Sequence, residues 1–215
     1  MLTAYSLRLE ASGLQLFCYF RPMKNIAVFC GSSFGKNDIY TESAALLGTA
    51  IAKRNMALIY GGAKVGLMGV IANAALDAGG RVIGVLPRFL QTKEIAHTEL
   101  TELILVDTMH ERKARIGELC DGVIALPGGY GTMEEFFELL TWGQLGLHQK
   151  PVAILNVHGF YDGLITLIDN MVTQGFLKQF NRDMLLVDDN IEKLLTKMEK
   201  YKAPPVNKWI SRETT

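Results

Sequence analysis

The sequence predicts a single α/β domain built on a doubly wound parallel sheet, and three observations carry that expectation. Seven short runs are apolar at successive rather than alternate positions, as in parallel strands covered on both faces. Stretches with helical spacing separate most of these runs, and strand–helix–strand alternation is the signature of a parallel sheet. No repeat, linker or low-complexity tract divides the 215 residues, a length that suits one such domain.

In chain order, strands are expected at 26–30 (IAVFC), 57–60 (ALIY), 82–86 (VIGVL), 103–106 (LILV), 122–126 (GVIAL), 152–157 (VAILNV) and 185–187 (LLV). Helical spacing covers 40–54, 67–78, 109–120, 134–145 and 160–174. From Ile191 the chain carries Lys193, Lys197, Lys200, Lys202 and Lys208, partly balanced by Glu192 and Glu199. That reads as a solvated terminal helix stopped by Pro204 and Pro205, with 204–215 as a tail. At the other end, the apolar patch at 14–20 follows Arg8 and Glu10 and precedes no small-residue cleavage site, so it is not read as a secretory signal. Met23 opens the run MKNIAVFCGSS; residues 1–22 are read as an N-terminal extension and 23–203 as the domain.

Composition excludes several classes. Twenty-two basic and 22 acidic residues give a net charge of zero, without the basic excess of a nucleic-acid binder. No run approaches the roughly 18 apolar residues of a membrane span. Cys18, Cys30 and Cys120 form no CxxC pair, and His97, His110, His148 and His158 lack HxxxH spacing. Neither a metal site nor a disulfide framework is supported, and the expected compartment is a reducing cytoplasm.

In an open parallel sheet, ligands bind beyond the carboxyl ends of the strands. Three loops at such ends are glycine-rich, in a chain with 21 glycines where about 15 would be average. The first, Cys30-Gly31-Ser32-Ser33-Phe34-Gly35-Lys36, matches neither GxGxxG nor a P-loop. Ser32 can serve a phosphate or ribose, or the segment is a plain tight turn. The second runs from Tyr60 through Gly61, Gly62, Gly66 and Gly69, where glycine serves either ligand approach or close packing.

The third loop, Pro127-Gly128-Gly129-Tyr130-Gly131-Thr132, passes from an apolar strand straight into an apolar helix. Successive glycine amides and a helix N-terminus suit a phosphate. Thr132-x-x-Glu135 also spells a capping box, and Glu134 with Glu135 in a first turn would complement the helix dipole without any catalytic duty. A phosphate beside two carboxylates makes sense if the ligand carries a phosphate at one end and a cationic reacting centre at the other.

On the helix expected at 109–120, Met109, Ile116, Leu119 and Cys120 define an apolar stripe, with Glu111, Arg115 and Glu118 opposite. Thr108 and Glu111 form a second capping box. Arg112 and Lys113 flank the stripe within about 60° of its centre. Either their stems snorkel or they meet anions, and Arg112 with Glu135 or with phosphate is the economical pairing.

FCGSS, YGGAKVGLMG, MHERKA, PGGYGTMEE, Leu140-Thr141-Trp142-Gly143-Gln144-Leu145-Gly146 and Lys150-Pro151-Val152 together resemble the Lonely Guy (LOG) family over residues 23–189. The resemblance implies a Rossmann-like fold, a cytokinin riboside 5′-monophosphate phosphoribohydrolase and a homodimer, with no metal or organic cofactor. It maps a catalytic Arg–Glu pair onto Arg112 and Glu135, with Lys113 beside the substrate. A phosphate loop maps onto Gly128, Gly129, Gly131 and Thr132, with Tyr130, Glu134, Ser32 and Gly62 around the ligand. A substrate-contacting glutamate maps onto Glu94. Residues 89–93 depart from the PREI wording of plant-type members, which leaves open whether AMP or an N6-modified relative is preferred. The competing class is a non-catalytic nucleotide or molybdenum-cofactor carrier, which would need the phosphate loop but no buried Arg–carboxylate pair.

Overall fold

The computed structural model describes residues 23–91 and 96–204. The extension expected at 1–22, the tail beyond Pro204 and the candidate Glu94 lie outside the described residues.

All seven expected strands form. They are β1 (Asn25–Phe29), β2 (Ala57–Tyr60), β3 (Val82–Pro87), β4 (Glu102–Val106), β5 (Gly122–Ala125), β6 (Val152–Leu155) and β7 (Leu185–Asp188). They pair in parallel in the order β4-β3-β2-β1-β5-β6-β7. The chain winds outward from β1 to β4, then crosses back to set β5 against the other side of β1, with Val28 opposite Ile124. That reversal is a topological switch point, and it opens a crevice between the loops after β1 and β5.

The helices are α1 (Asp38–Lys53), α2 (Gly66–Asp77), α3 (Arg88–Gln91), α4 (Met109–Leu119), α5 (Tyr130–Gln144), α6 (Asp162–Thr173), α7 (Gln179–Arg182) and α8 (Ile191–Glu199). Side chains alternate across a strand, so β1 sends Ile26 and Val28 to one face and Ala27 and Phe29 to the other. The first face packs on Leu47 and Ile51 of α1, Ile71 of α2 and Leu194 and Leu195 of α8. The second packs on Ile116 of α4, Phe136 and Leu139 of α5 and Ile168 of α6. Both faces being covered explains why β2, β3, β5 and β6 are apolar at successive positions. Each such side chain contributes roughly 1.5–3 kcal/mol through burial.

Five expectations need correction. α5 begins at Tyr130, not at 134, and its N-cap is Gly129 (φ −97°, ψ −154°), with no side-chain cap. Thr132 therefore does not cap the helix; it is buried, with its hydroxyl against Gly128. Glycine takes the extended cap conformation without a Cβ, and the Thr132–Glu135 capping box does not form. Met109, assigned to the apolar stripe of α4, is 38% exposed, because the first turn of that helix projects at the carboxyl rim of the sheet. α6 starts at Asp162, two residues late, since His158 (φ 51°) and Gly159 (φ 69°) take left-handed conformations in a short 3-10 turn.

Finally, α8 is docked rather than solvated: Leu194, Leu195 and Met198 are buried, and Arg54 binds Glu192 at 2.6 Å and Glu199 at 2.9 Å. Its lysines occupy the outer face. Among the described residues, no helix is long and apolar enough to cross a membrane.

Candidate active site

The three glycine loops converge at the switch point. Gly31 N donates to Pro127 O at 3.0 Å and Leu67 N donates to Gly31 O at 3.1 Å, joining the loops after β1, β5 and β2. Gly66 (φ +56°) lies so close to the Ser32–Ser33 backbone that a Cβ would collide with it. Gly62 (φ +76°) is buried against Leu86 and Leu103, and its carbonyl accepts from the His97 amide at 3.0 Å. For the second loop, close packing is thus the use its glycines display. Ser32 is exposed at the mouth of the crevice.

The third loop differs. A Cβ on Gly128 would strike Thr132 Oγ1 and the amide of Gly31, so this glycine permits the close approach of two loops. Gly129 and Gly131 have open space where a Cβ would stand, and Tyr130 is 97% exposed. The first amides of α5 have no intrahelical acceptor and sum with the helix dipole to a site suited to an anion.

Beside that nest, Arg112 of α4 meets Glu135 of α5. Its Nη1 donates to Glu135 Oε1 at 2.5 Å and its Nε to the Val85 carbonyl at 3.2 Å. Both side chains are nearly buried, at 12% and 10% exposure. Burial pushes the Glu135 carboxyl above the ordinary carboxylate range; Arg112 opposes that shift and neighbouring Glu134 reinforces it. One residue along, Lys113 Nζ reaches Glu134 Oε1 at 2.5 Å and Glu138 Oε1 at 3.1 Å. Hydrogen bonding to Glu134 raises the Lys113 ammonium above its ordinary value. Consecutive cations on α4 thereby clasp carboxylates one turn apart on α5.

The helix-wheel reading of Arg112 and Lys113 thus resolves toward anionic partners, not snorkelling. Glu138 was not singled out from the sequence, although its i+4 spacing from Glu134 places it on the same helix face. The Val85 carbonyl carries no sequence signal at all. Thr108 Oγ1 caps α4 by accepting from Glu111 N at 3.1 Å, while Glu111 reaches back to the Asp107 amide at 2.8 Å, one residue before the expected partner.

Among the described residues, two thiols and two of the histidines have structural surroundings; Cys18 lies outside them. Cys30 and Cys120 are buried, and burial raises both thiols, Cys120 to about 11. His97 bonds Asn73 Oδ1 at 2.8 Å, and His148 bonds the Leu139 carbonyl at 2.7 Å. Among the described residues, no three His, Cys, Asp or Glu side chains gather as metal ligands would.

Residues 68–198 match the family model described as "Possible lysine decarboxylase". The chain is 47% identical over 184 residues to the cytokinin riboside 5′-monophosphate phosphoribohydrolase LOG5 of Arabidopsis thaliana, covering 86% of this chain and 80% of that one. It is 49% identical over 170 residues to the cytokinin riboside 5′-monophosphate phosphoribohydrolase of Rhodococcoides fascians, covering 79% and 86%. Among solved structures, the molybdenum cofactor binding protein of Rippkaea orientalis superposes with a TM-score of 0.63 at 22% identity, covering 82% of this chain and 96% of that one. That likeness establishes the Rossmann-like fold alone. On the identity it shares with these relatives across most of its length, the chain belongs to the Lonely Guy (LOG) family.

Proposed function

We propose that the protein hydrolyses the N-glycosidic bond of purine riboside 5′-monophosphates, of the cytokinin type or AMP, releasing the free base and ribose 5-phosphate. The observation that carries the reading is the buried Arg112–Glu135 pair beside an open helix N-terminus. The relatives' names point to the same reaction.

In this reading the 5′-phosphate sits on the amides of Gly129, Tyr130, Gly131 and Thr132, with Gly128 allowing the turn and Ser32 at the mouth. Cleavage of the bond between C1′ and the base nitrogen leaves the electron pair on the base and positive charge on the ribose. A carboxylate at that point stabilises the developing oxocarbenium ion, by analogy with O-glycoside cleavage. Glu135 then takes a proton from the water whose oxygen bonds C1′, and the departing base takes up a proton from solvent. Arg112 opposes the upward shift that burial imposes on Glu135, favouring its ionised form, and aims it. Lys113, ion-paired with Glu134 and Glu138, stands beside the substrate, and Glu94 is retained as a substrate contact. No step calls on a metal or organic cofactor.

The proposal includes a homodimer, to which the half-buried Phe137, Leu140 and Trp142 of α5 would contribute, and a cytoplasmic location. It also retains 23–203 as the catalytic domain. The carrier reading has in its favour only the shared fold at about one-fifth identity, and it gives Arg112 and Glu135 nothing to do.

The test is base release, followed by chromatography, from AMP, isopentenyladenosine monophosphate and the matching nucleosides. Release from a monophosphate and not from its nucleoside is expected. No release from either monophosphate, or equal release from the nucleosides, refutes the proposal.

A further inference from the structure

Tyr161, in the loop after β6, lies 35 residues from Leu126, which leads into the phosphate turn, yet is bonded to it. Leu126 ends the β5 run; its amide donates to Phe29 O at 2.9 Å, but its carbonyl accepts from the buried Tyr161 hydroxyl at 2.7 Å. The next carbonyl, Pro127 O, accepts from Gly31 N. Proline has no N–H to offer a third tie. Two successive carbonyls, each held by one donor, therefore orient the rigid peptide planes that lead into the nest.

Tyr161 is itself aimed from several sides. Its amide donates to Asn156 Oδ1 at 2.8 Å, and Asn156 Nδ2 donates to Asp162 Oδ1 at 2.7 Å. Between them His158 adopts φ 51°, uncommon for a residue with a side chain. The Tyr161 ring meets Phe160 edge-on at 4.8 Å, and Phe160 meets Tyr40 of α1 at 5.9 Å. Burial pushes the phenol far up, so the hydroxyl keeps its proton for donation at any working pH.

We infer that Tyr161 is a positioning residue for phosphate recognition: through the Leu126 carbonyl it sets the orientation of the Pro127–Thr132 nest. The inference rests on the phosphoribohydrolase reading above, and assigns the β6 loop to substrate affinity, a role distinct from the chemistry at Glu135. It touches no reacting atom.

Tyr161→Phe removes the donor and keeps the ring. The expected result is a KM for the monophosphate raised about tenfold, the worth of one buried hydrogen bond, with kcat within about twofold. Ribose 5-phosphate should weaken as a product inhibitor by the same factor. Such a split marks lost binding shared by ground and transition states. An unchanged KM with only a lowered thermal midpoint, or a fall in kcat alone, overturns the inference while wild-type turnover leaves the hydrolase reading standing. Absence of wild-type turnover overturns both. If Tyr161→Phe does not fold, Asn156→Asp sets a second carboxylate against Asp162 and disturbs the aim of the phenol; the same KM split is expected there, and an unchanged KM refutes the inference.

Discussion

A side chain at Gly61, on the loop after β2, would collide with the guanidinium of Arg112. Arg112 crosses that bare backbone to reach Glu135 from the neighbouring helix. The obstacle to a Cβ is the far end of a flexible side chain, so Gly61→Ala should fold and still push Arg112 off the carboxylate. The expected outcome is a loss of at least about tenfold in kcat/KM with a thermal midpoint close to wild type, read by paired kinetics and melting curves.

Glu135→Gln keeps the shape of the side chain and removes its charge. Turnover of the monophosphate should fall to background, while calorimetry still detects nucleotide binding at the nest. A fully active variant would return Glu135 to a purely structural role.

The pH profile follows from the raised Glu135 carboxyl. Its ionised form is the working one, so kcat/KM should fall as pH drops, on an acid limb above the ordinary carboxylate value of about 4.3. Arg112 opposes the upward shift, so Arg112→Gln should move that limb further up and lower the plateau. For stability, this group contributes fully below its unfolded-state value and loses that contribution as pH rises through its folded-state value.

Two glycines of the third loop should separate fold from binding. Gly128→Ala forces a methyl against Thr132 and Gly31 and is expected to cost about 1–3 kcal/mol in chemical denaturation. Gly131→Ala enters open space within α5. It should leave stability unchanged or raise it by up to about 1 kcal/mol, yet raise KM by placing a methyl in the nest.

The docking of α8 is testable by the same means. Leu195 is fully buried, and Leu195→Ala should cost about 2–5 kcal/mol. Arg54→Ala breaks pairs with carboxylates that are 68% and 39% exposed and should cost at most about 1 kcal/mol.

What was legible in the sequence followed local rules. Strands buried on both faces announce themselves as unbroken apolar runs, so β1 to β7 were recognisable, and Arg112 stood out because it sits close to an apolar stripe. What was not legible depends on neighbours distant in sequence. Thr132 and Glu135 have the spacing of a cap, and only the extended Gly129 beneath them, with Arg112 drawing Glu135 inward, shows why they do not form one. Gly61 and Gly62 look alike as letters; one clears a guanidinium and the other packs on Leu86 and Leu103. Tyr161 carries no motif, since its partner is a backbone carbonyl.

The seam between β1 and β5 has a kinetic consequence. Asn25 and Asp121, bonded across it at 3.0 Å, are 96 residues apart in the chain. Closing so long a loop is entropically costly and slow, so the four strands wound outward from β1 can gather before the crevice exists. Phosphate affinity should therefore emerge late in refolding, together with the closure of the two halves. A ligand that holds both the Gly31 and Gly128 loops would act as a clasp on that closure, raising the protein's resistance to unfolding by mass action.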